Sequence, residues 1–355
     1  MSWLLTIAGF GALIILHELG HFMAAKATGM RVERFFLFFP PRLASVRRGE
    51  TEYGVGAIPL GGFVKITGMN PEEDLPPEVR PRAYYAQPVW KRIVVIGAGP
   101  AMNLIVAFVL LFALGLTAIH LTHDVGTVRP GSPAAGALRP GDRIVAVDGV
   151  HGGFLKIRHQ IASHHCAAKP HDGCRAQTAA RVRVMRDGRP LTVRIHPAYD
   201  ASLRRNVLGI DYATRSSSVP APTSAANAAG DMWRVTSGTV SAIVRIFEPQ
   251  ERSKLHGIVG VSDVTQQAIS YGAREALTLL AIISLSLAIV NLFPFLPLDG
   301  GHIFWSLVEK VRGRPVAFSV IERASAIGFI LVMIMFAIGL SNDISRLTGP
   351  GFHLR

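Results

Sequence analysis

The sequence predicts a polytopic α-helical membrane protein with four transmembrane helices and one inserted β-rich domain. Two observations carry that expectation. Of the 355 residues, 49% are hydrophobic and only 17% are charged, with a mean hydropathy of +0.34; that is too apolar for an ordinary soluble domain. Four apolar runs, each of roughly the 17–25 residues that a helix needs to cross about 30 Å of hydrocarbon, alternate with polar connections, and the longest connection carries strand patterning.

The first span is read as residues 1–25. A cleaved signal peptide is the competing reading, but Met1 and Ser2 offer no basic start, and the apolar run contains His17, Glu18 and His21. Residues 26–92 form a loop rich in Lys and Arg, 93–119 a second span, and 120–215 the β-rich insertion. Within the insertion, Arg181-Val-Arg-Val-Met and Leu191-Thr-Val-Arg-Ile alternate with period two around Asp187-Gly188, a hairpin signal. Residues 216–273 read as a Ser/Ala/Pro-rich linker over 216–229, followed by an amphipathic helix on the membrane surface over 232–247. A third span covers 274–302, a loop 303–323, a fourth span 324–340, and a tail 341–355.

The formal charge of +13 and a pI near 10.4 first suggest nucleic acid. Lys and Arg are dispersed rather than massed on one face, so no nucleic-acid partner is expected. Loop asymmetry and anionic lipid account for the excess better. Lys26, Arg31, Arg47, Arg48, Lys91 and Arg92 lie between spans one and two, and Lys310, Arg312, Arg314 and Arg323 between spans three and four. By the positive-inside rule these loops are cytoplasmic, and the β-rich insertion is extracytoplasmic.

His17-Glu18-Leu19-Gly20-His21 is an H-E-x-x-H pattern. Residues four apart share a helix face, so both imidazoles can reach one zinc, with Glu18 beside them as general base. Three ionisable groups in an apolar span are costly unless they line a cavity or are paired. About 15 residues precede His17, which places the site roughly 22 Å along the span, in the cytoplasmic half of the membrane. A catalytic zinc takes three protein ligands and keeps one position open. Span three ends in Asn291-Leu-Phe-Pro-Phe-Leu-Pro-Leu-Asp299-Gly-Gly-His302, where Pro294 and Pro297 break the helix. Unwound backbone at membrane depth needs a cavity or protein around it, so Asp299 is the expected third ligand. The competing readings are an N-cap role for Asp299, on a helix starting near Ile303, and His302 as the ligand.

Together these residues resemble the site-2 protease family of intramembrane zinc metalloproteases. His17-Glu18-x-x-His21 and Leu298-Asp299-Gly300 match its two motifs; Gly61-Gly62-Phe63-Val64-Lys65 looks like its membrane-associated β segment, and Gly99-Pro100-Ala101-Met102-Asn103 like its second-span signature. The chain departs from the common pattern at Leu296, where a proline is usual, and carries Pro297 instead. The resemblance implies one Zn2+, a bacterial inner-membrane location, and hydrolysis of single-span membrane proteins such as anti-sigma factors, or of remnant signal peptides. It also implies a first cut outside by an upstream site-1-type protease. Gly62 and Phe63 are then candidates to hold an unwound substrate as an added strand. Asn291 is a candidate to bond its backbone, with helix packing as the alternative. Val128-x-Pro-x-Ser132-Pro-Ala, Leu138-x-Pro-Gly-Asp142-x-Ile144 and Val147-Asp-Gly149 resemble bacterial PDZ domains, which offer a sheet edge to a peptide; a steric plug is the alternative. Cys166 and Cys174 read as a short disulfide-closed loop, with free thiols or a second zinc site with His164, His165 and His171 as the alternatives. Two rival classes are a PDZ scaffold without activity, which needs a catalytic residue to be missing, and an ion-binding transporter, which needs an inverted repeat.

Overall fold

The four apolar runs fold into helices, with ends set by local chemistry. The computed structural model describes residues 2–167, 169–245, 248 and 257–347. Helix α1 spans Ser2–Ala27 and α2 spans Val89–Gly115. The apolar run expected to carry span two to residue 119 changes structure after Gly115, because Thr117-Ala-Ile-His begins a strand. Among the described residues, four helices are long and apolar enough to cross a bilayer, their spans running over Leu4–Ala27, Val89–Gly115, Ala273–Asn291 and Phe318–Ser345.

The chain forms two compact units, residues 1–115 with 221–355, and residues 116–220. In the first, α1 and α2 pack together and enclose a small core of Ala25, Met30, Val32, Ile66, Tyr84, Val95 and Ile96. Between them runs a long hairpin, β1 (Val32–Arg48) and β2 (Thr51–Ile66). It folds back on itself, so that Phe35 faces both Tyr53 and Val64, and Phe36 both Gly54 and Phe63. Residues 62–66 therefore lie at the outer edge of a curled sheet. At the hairpin tip, Arg82 (2.8 Å, twice) and Lys26 (2.9 Å) grip Glu50 and pull its carboxyl down to about 2.

Residues 221–229, expected as a linker, are instead the start of helix α4 (Ala221–Val244). Alanine is the strongest helix former, and it dominates this stretch despite the flanking Ser and Pro. Ser224 Oγ donates to the Phe112 carbonyl at 2.7 Å, and Met232 and Val235 pack on the Ala107, Leu285 and Ile289 cluster. The expected surface helix is thus the second half of α4, lying along two apolar helices; residues 246 and 247 of that expectation fall outside the described residues. Helices α5 (Ile258–Tyr271) and α6 (Ala273–Asn291) follow. Pro294 and Pro297 hold residues 292–298 out of helix, and α7 (Asp299–Arg312) then occupies much of the expected 303–323 loop. Helix α8 (Phe318–Leu347) completes the unit. Its fully buried Asp343 caps α5, accepting from the Gly257 and Gly260 N–H groups at 3.0 Å each.

The second unit is a sheet with order β10-β3-β4-β6-β7, made of Thr117–Val128 (β3), Arg143–Val147 (β4), Ala180–Arg186 (β6), Arg189–Ile195 (β7) and Ile210–Ser218 (β10). A short strand, β5 (Val150–His151), pairs with β4; β8 (Ala198–Asp200) and β9 (Arg205–Val207) form a separate hairpin. Helix α3 (Phe154–Ala162) adds Ile157 and Ile161 to a core with Val125, Leu138, Ile144, Val182 and Val184. The predicted alternation is visible in β6, where Val182 and Val184 are buried and Arg181 and Arg183 exposed. Asp187 and Gly188 both take positive φ (48° and 76°), as a tight two-residue hairpin requires. Cys166 and Cys174 are joined by a disulfide. At the unit's two ends, Thr117 and Ser218 are strand partners.

Candidate metal centre

On α1, one helical turn brings His17 and His21 to the same face, with their Nε2 atoms 3.2 Å apart. Asp299 is not the N-cap of its helix: α7 begins at Asp299, and Leu298 holds the cap position. Its Oδ2 lies 3.2 Å from His17 Nε2 and 3.4 Å from His21 Nε2. Among the described residues, these three are the group whose ligand atoms converge closely enough for a metal ion. Both histidines are under a tenth exposed.

The arrangement fits zinc. Ligand atoms at about 2.0–2.1 Å from a tetrahedral ion lie about 3.3 Å from one another, and the three separations are 3.2, 3.2 and 3.4 Å. Asp299 Oδ2 is buried yet makes no well-directed hydrogen bond. A buried carboxylate oxygen aimed at two imidazoles without bonding them leaves its charge for a cation. Two nitrogens and one oxygen are the donor types that zinc takes, with a fourth position left for water or substrate.

Close helix contact sets this geometry. Gly20 faces α2, where a Cβ would lie 2.3 Å from the Ala98 carbonyl oxygen; at Gly99 a Cβ would meet His21 Nε2. Only glycines let the two backbones approach this far. Arg92 on α2 pairs with Glu309 on α7 at 2.9 Å, fixing the helix that carries Asp299. The 292–298 turn is closed by Leu298 N–H to the Phe295 carbonyl at 2.9 Å, and Leu296 within it is buried.

A cavity of about 440 Å³ opens over the cluster. Glu18, Gly62, Phe63, Asn291 and His302 all line it with the three ligand-type residues. Glu18 approaches the hairpin edge: a Cβ on Gly62 would lie 3.1 Å from Glu18 Cγ. Phe63 stacks on Phe36 and Phe39, with centroids 5.4 and 6.0 Å apart. His302, the competing ligand, lines the cavity but is not part of the converging group. Asn103 on α2 was singled out only within a motif; its amide lies 3.1 Å from His17 Nδ1. Nothing local in the sequence points to that contact.

The family model described as peptidase family M50 matches residues 5–335. The chain is 33% identical to zinc metalloprotease Rip1 of Mycobacterium tuberculosis strain H37Rv, over 84% of this chain and 83% of the relative. It is equally identical to zinc metalloprotease Rip1 of Mycolicibacterium smegmatis, with the same shares covered. A Clostridium perfringens relative is 30% identical over 97% of this chain and 98% of its own length.

Proposed function

This chain belongs to peptidase family M50 and is a zinc metalloprotease of a membrane, and from that premise we propose how its own residues cut a peptide bond. His17, His21 and Asp299 hold one zinc. When bound, that ion acidifies a coordinated water and polarises the scissile carbonyl. Glu18, beside the cluster, takes the proton of the attacking water and passes it to the leaving amine. Residues 62–66, at the outer edge of the curled sheet, receive an unwound substrate as an added strand, with Gly62 and Phe63 nearest the cluster. Asn291 bonds the exposed substrate backbone. The observation that carries the reading is the tetrahedral spacing of the three donor atoms, with Glu18 and an outer sheet edge in the same cavity.

The substrates proposed are single-span membrane proteins of the anti-sigma-factor kind, or remnant signal peptides, delivered after an outer cut by a second protease. The basic loops 26–92 and 303–323 are placed on the cytoplasmic side of a bacterial inner membrane, and the β-rich unit, read as a PDZ-like domain, outside it. That unit acts before the chemistry, as a size filter or a docking site.

Glu18→Gln tests the catalytic assignment. The purified variant is expected to keep about one zinc per chain and to lose cleavage by about 10²–10⁴-fold, while trapping substrates that mass spectrometry can identify. Zinc loss in that variant would move Glu18 into the ligand set and break the assignment. Orientation has its own check. A cysteine placed at Glu72 should be shielded from an impermeant thiol reagent in intact cells, and one at Asp187 labelled; the reverse pattern inverts the topology.

A further inference from the structure

His17 and His21 point Nε2 at the shared centre, so each ring turns Nδ1 toward α2. His21 Nδ1 lies 2.9 Å from the Val95 carbonyl oxygen. A carbonyl only accepts, so that nitrogen carries the proton and the Nε2 lone pair is left free for an ion. His17 Nδ1 faces the side-chain amide of Asn103 at 3.1 Å. Asn103 is fully buried, and its Oδ1 has no hydrogen-bond partner. As the amide stands, Nδ2 faces the ring, and a half-turn about χ2 puts the unpartnered oxygen there instead. If His17 gives its Nε2 lone pair to an ion, its proton must sit on Nδ1, and of the two amide atoms only the oxygen accepts it.

Val95, Gly99 and Asn103 are spaced by four and share one face of α2. The first holds His21 through its carbonyl, the second makes room for the His21 ring, and the third reaches His17. The backbone at Asn103 is itself anchored, since Ser284 Oγ on α6 donates to the Asn103 carbonyl at 2.9 Å. We propose that Asn103 is a positioning residue for the metal centre: its amide oxygen accepts the His17 Nδ1 proton and so fixes the tautomer and tilt of that ring. The inference rests on the reading of His17 as a zinc ligand.

The test measures zinc affinity of the purified full chain by competition with a chromophoric chelator. His17→Ala comes first. Loss of tight zinc there is the expected result; retention removes the ligand reading and this inference with it. Asn103→Leu is then expected to bind zinc about 10–100-fold more weakly, the usual cost of removing such a partner. Asn103→Ala, which removes the acceptor without bulk, should fall in the same range and stands in if the leucine variant does not fold. Asn103→Asp keeps acceptor oxygens in the same place and should bind within a few-fold of the parent. A purely structural role predicts the opposite order, because a buried charge at 103 would then be the most damaging change. Alanine and leucine variants that bind zinc as tightly as the parent, or an aspartate variant as weak as they are, would overturn the proposal.

Discussion

Two sequestered carboxylates, Asp142 and Asp299, are treated in opposite ways. Asp142, in the β-rich unit, is 1% exposed and fully engaged. Arg186 reaches it twice, at 2.8 and 2.7 Å, and the Arg139 N–H adds a third bond at 2.8 Å. Asp299 is 19% exposed at its side chain, and its Oδ2 faces two imidazoles without a well-directed bond to either. A carboxylate kept for stability carries its cation on the same chain, already paired. The carboxylate proposed for the metal centre faces two imidazoles and leaves its charge to be balanced by an ion from solution.

The largest effect that should separate them is on metal. Asp299→Asn is expected to reduce zinc from about one per chain to a small fraction of that, with cleavage lost alongside it, while Asp142→Asn keeps both. Zinc lost from the Asp142 variant would erase the distinction. Next comes the packing that aims the imidazoles. Gly99→Ala puts a Cβ onto His21 Nε2, and a displacement of about 1 Å can cost about 10²-fold in rate. Gly230→Ala, where an added Cβ meets nothing, should leave cleavage untouched and serves as the reference. The smallest effect is in the β-rich unit. Asp142→Asn should cost about 2 kcal/mol there, read by faster amide exchange in β4 and β6 of the full chain. The Arg186 bond holds the Asp142 carboxyl below its ordinary range. Its contribution is therefore complete above about pH 4 and is lost only as pH falls through the lower folded-state value. Exchange that accelerates on raising the pH beyond its intrinsic base dependence would contradict that sign.

How much of this the sequence carried depended on distance along the chain. His17, Glu18 and His21 were readable because four residues make one helical turn. Asp299 was readable because prolines in an apolar run demand a reason. The pairing of β6 and β7 followed from two alternating runs around Asp187-Gly188. The long hairpin was seen only at 61–65: over Val32–Arg48 the folded-back pairing leaves most side chains exposed or half-buried, so no period-two pattern marks it. The start of α4 was masked by Ser and Pro at 216–223, whose turn signals outweighed the alanines that follow. Asn103 reaches His17 across 86 positions, and no local pattern encodes a contact that two separate helices create by packing.

Thr117 and Ser218 lie opposite each other in the ribbon formed by β3 and β10, and Ser224 ties the start of α4 to Phe112 near the end of α2. The inserted unit therefore leaves and returns through a single narrow doorway, and the helices on either side of the doorway are already latched together. Chain geometry makes the insert a cassette. A shorter loop, a different fold, or two such units in series can occupy the same slot without moving His17, His21 or Asp299.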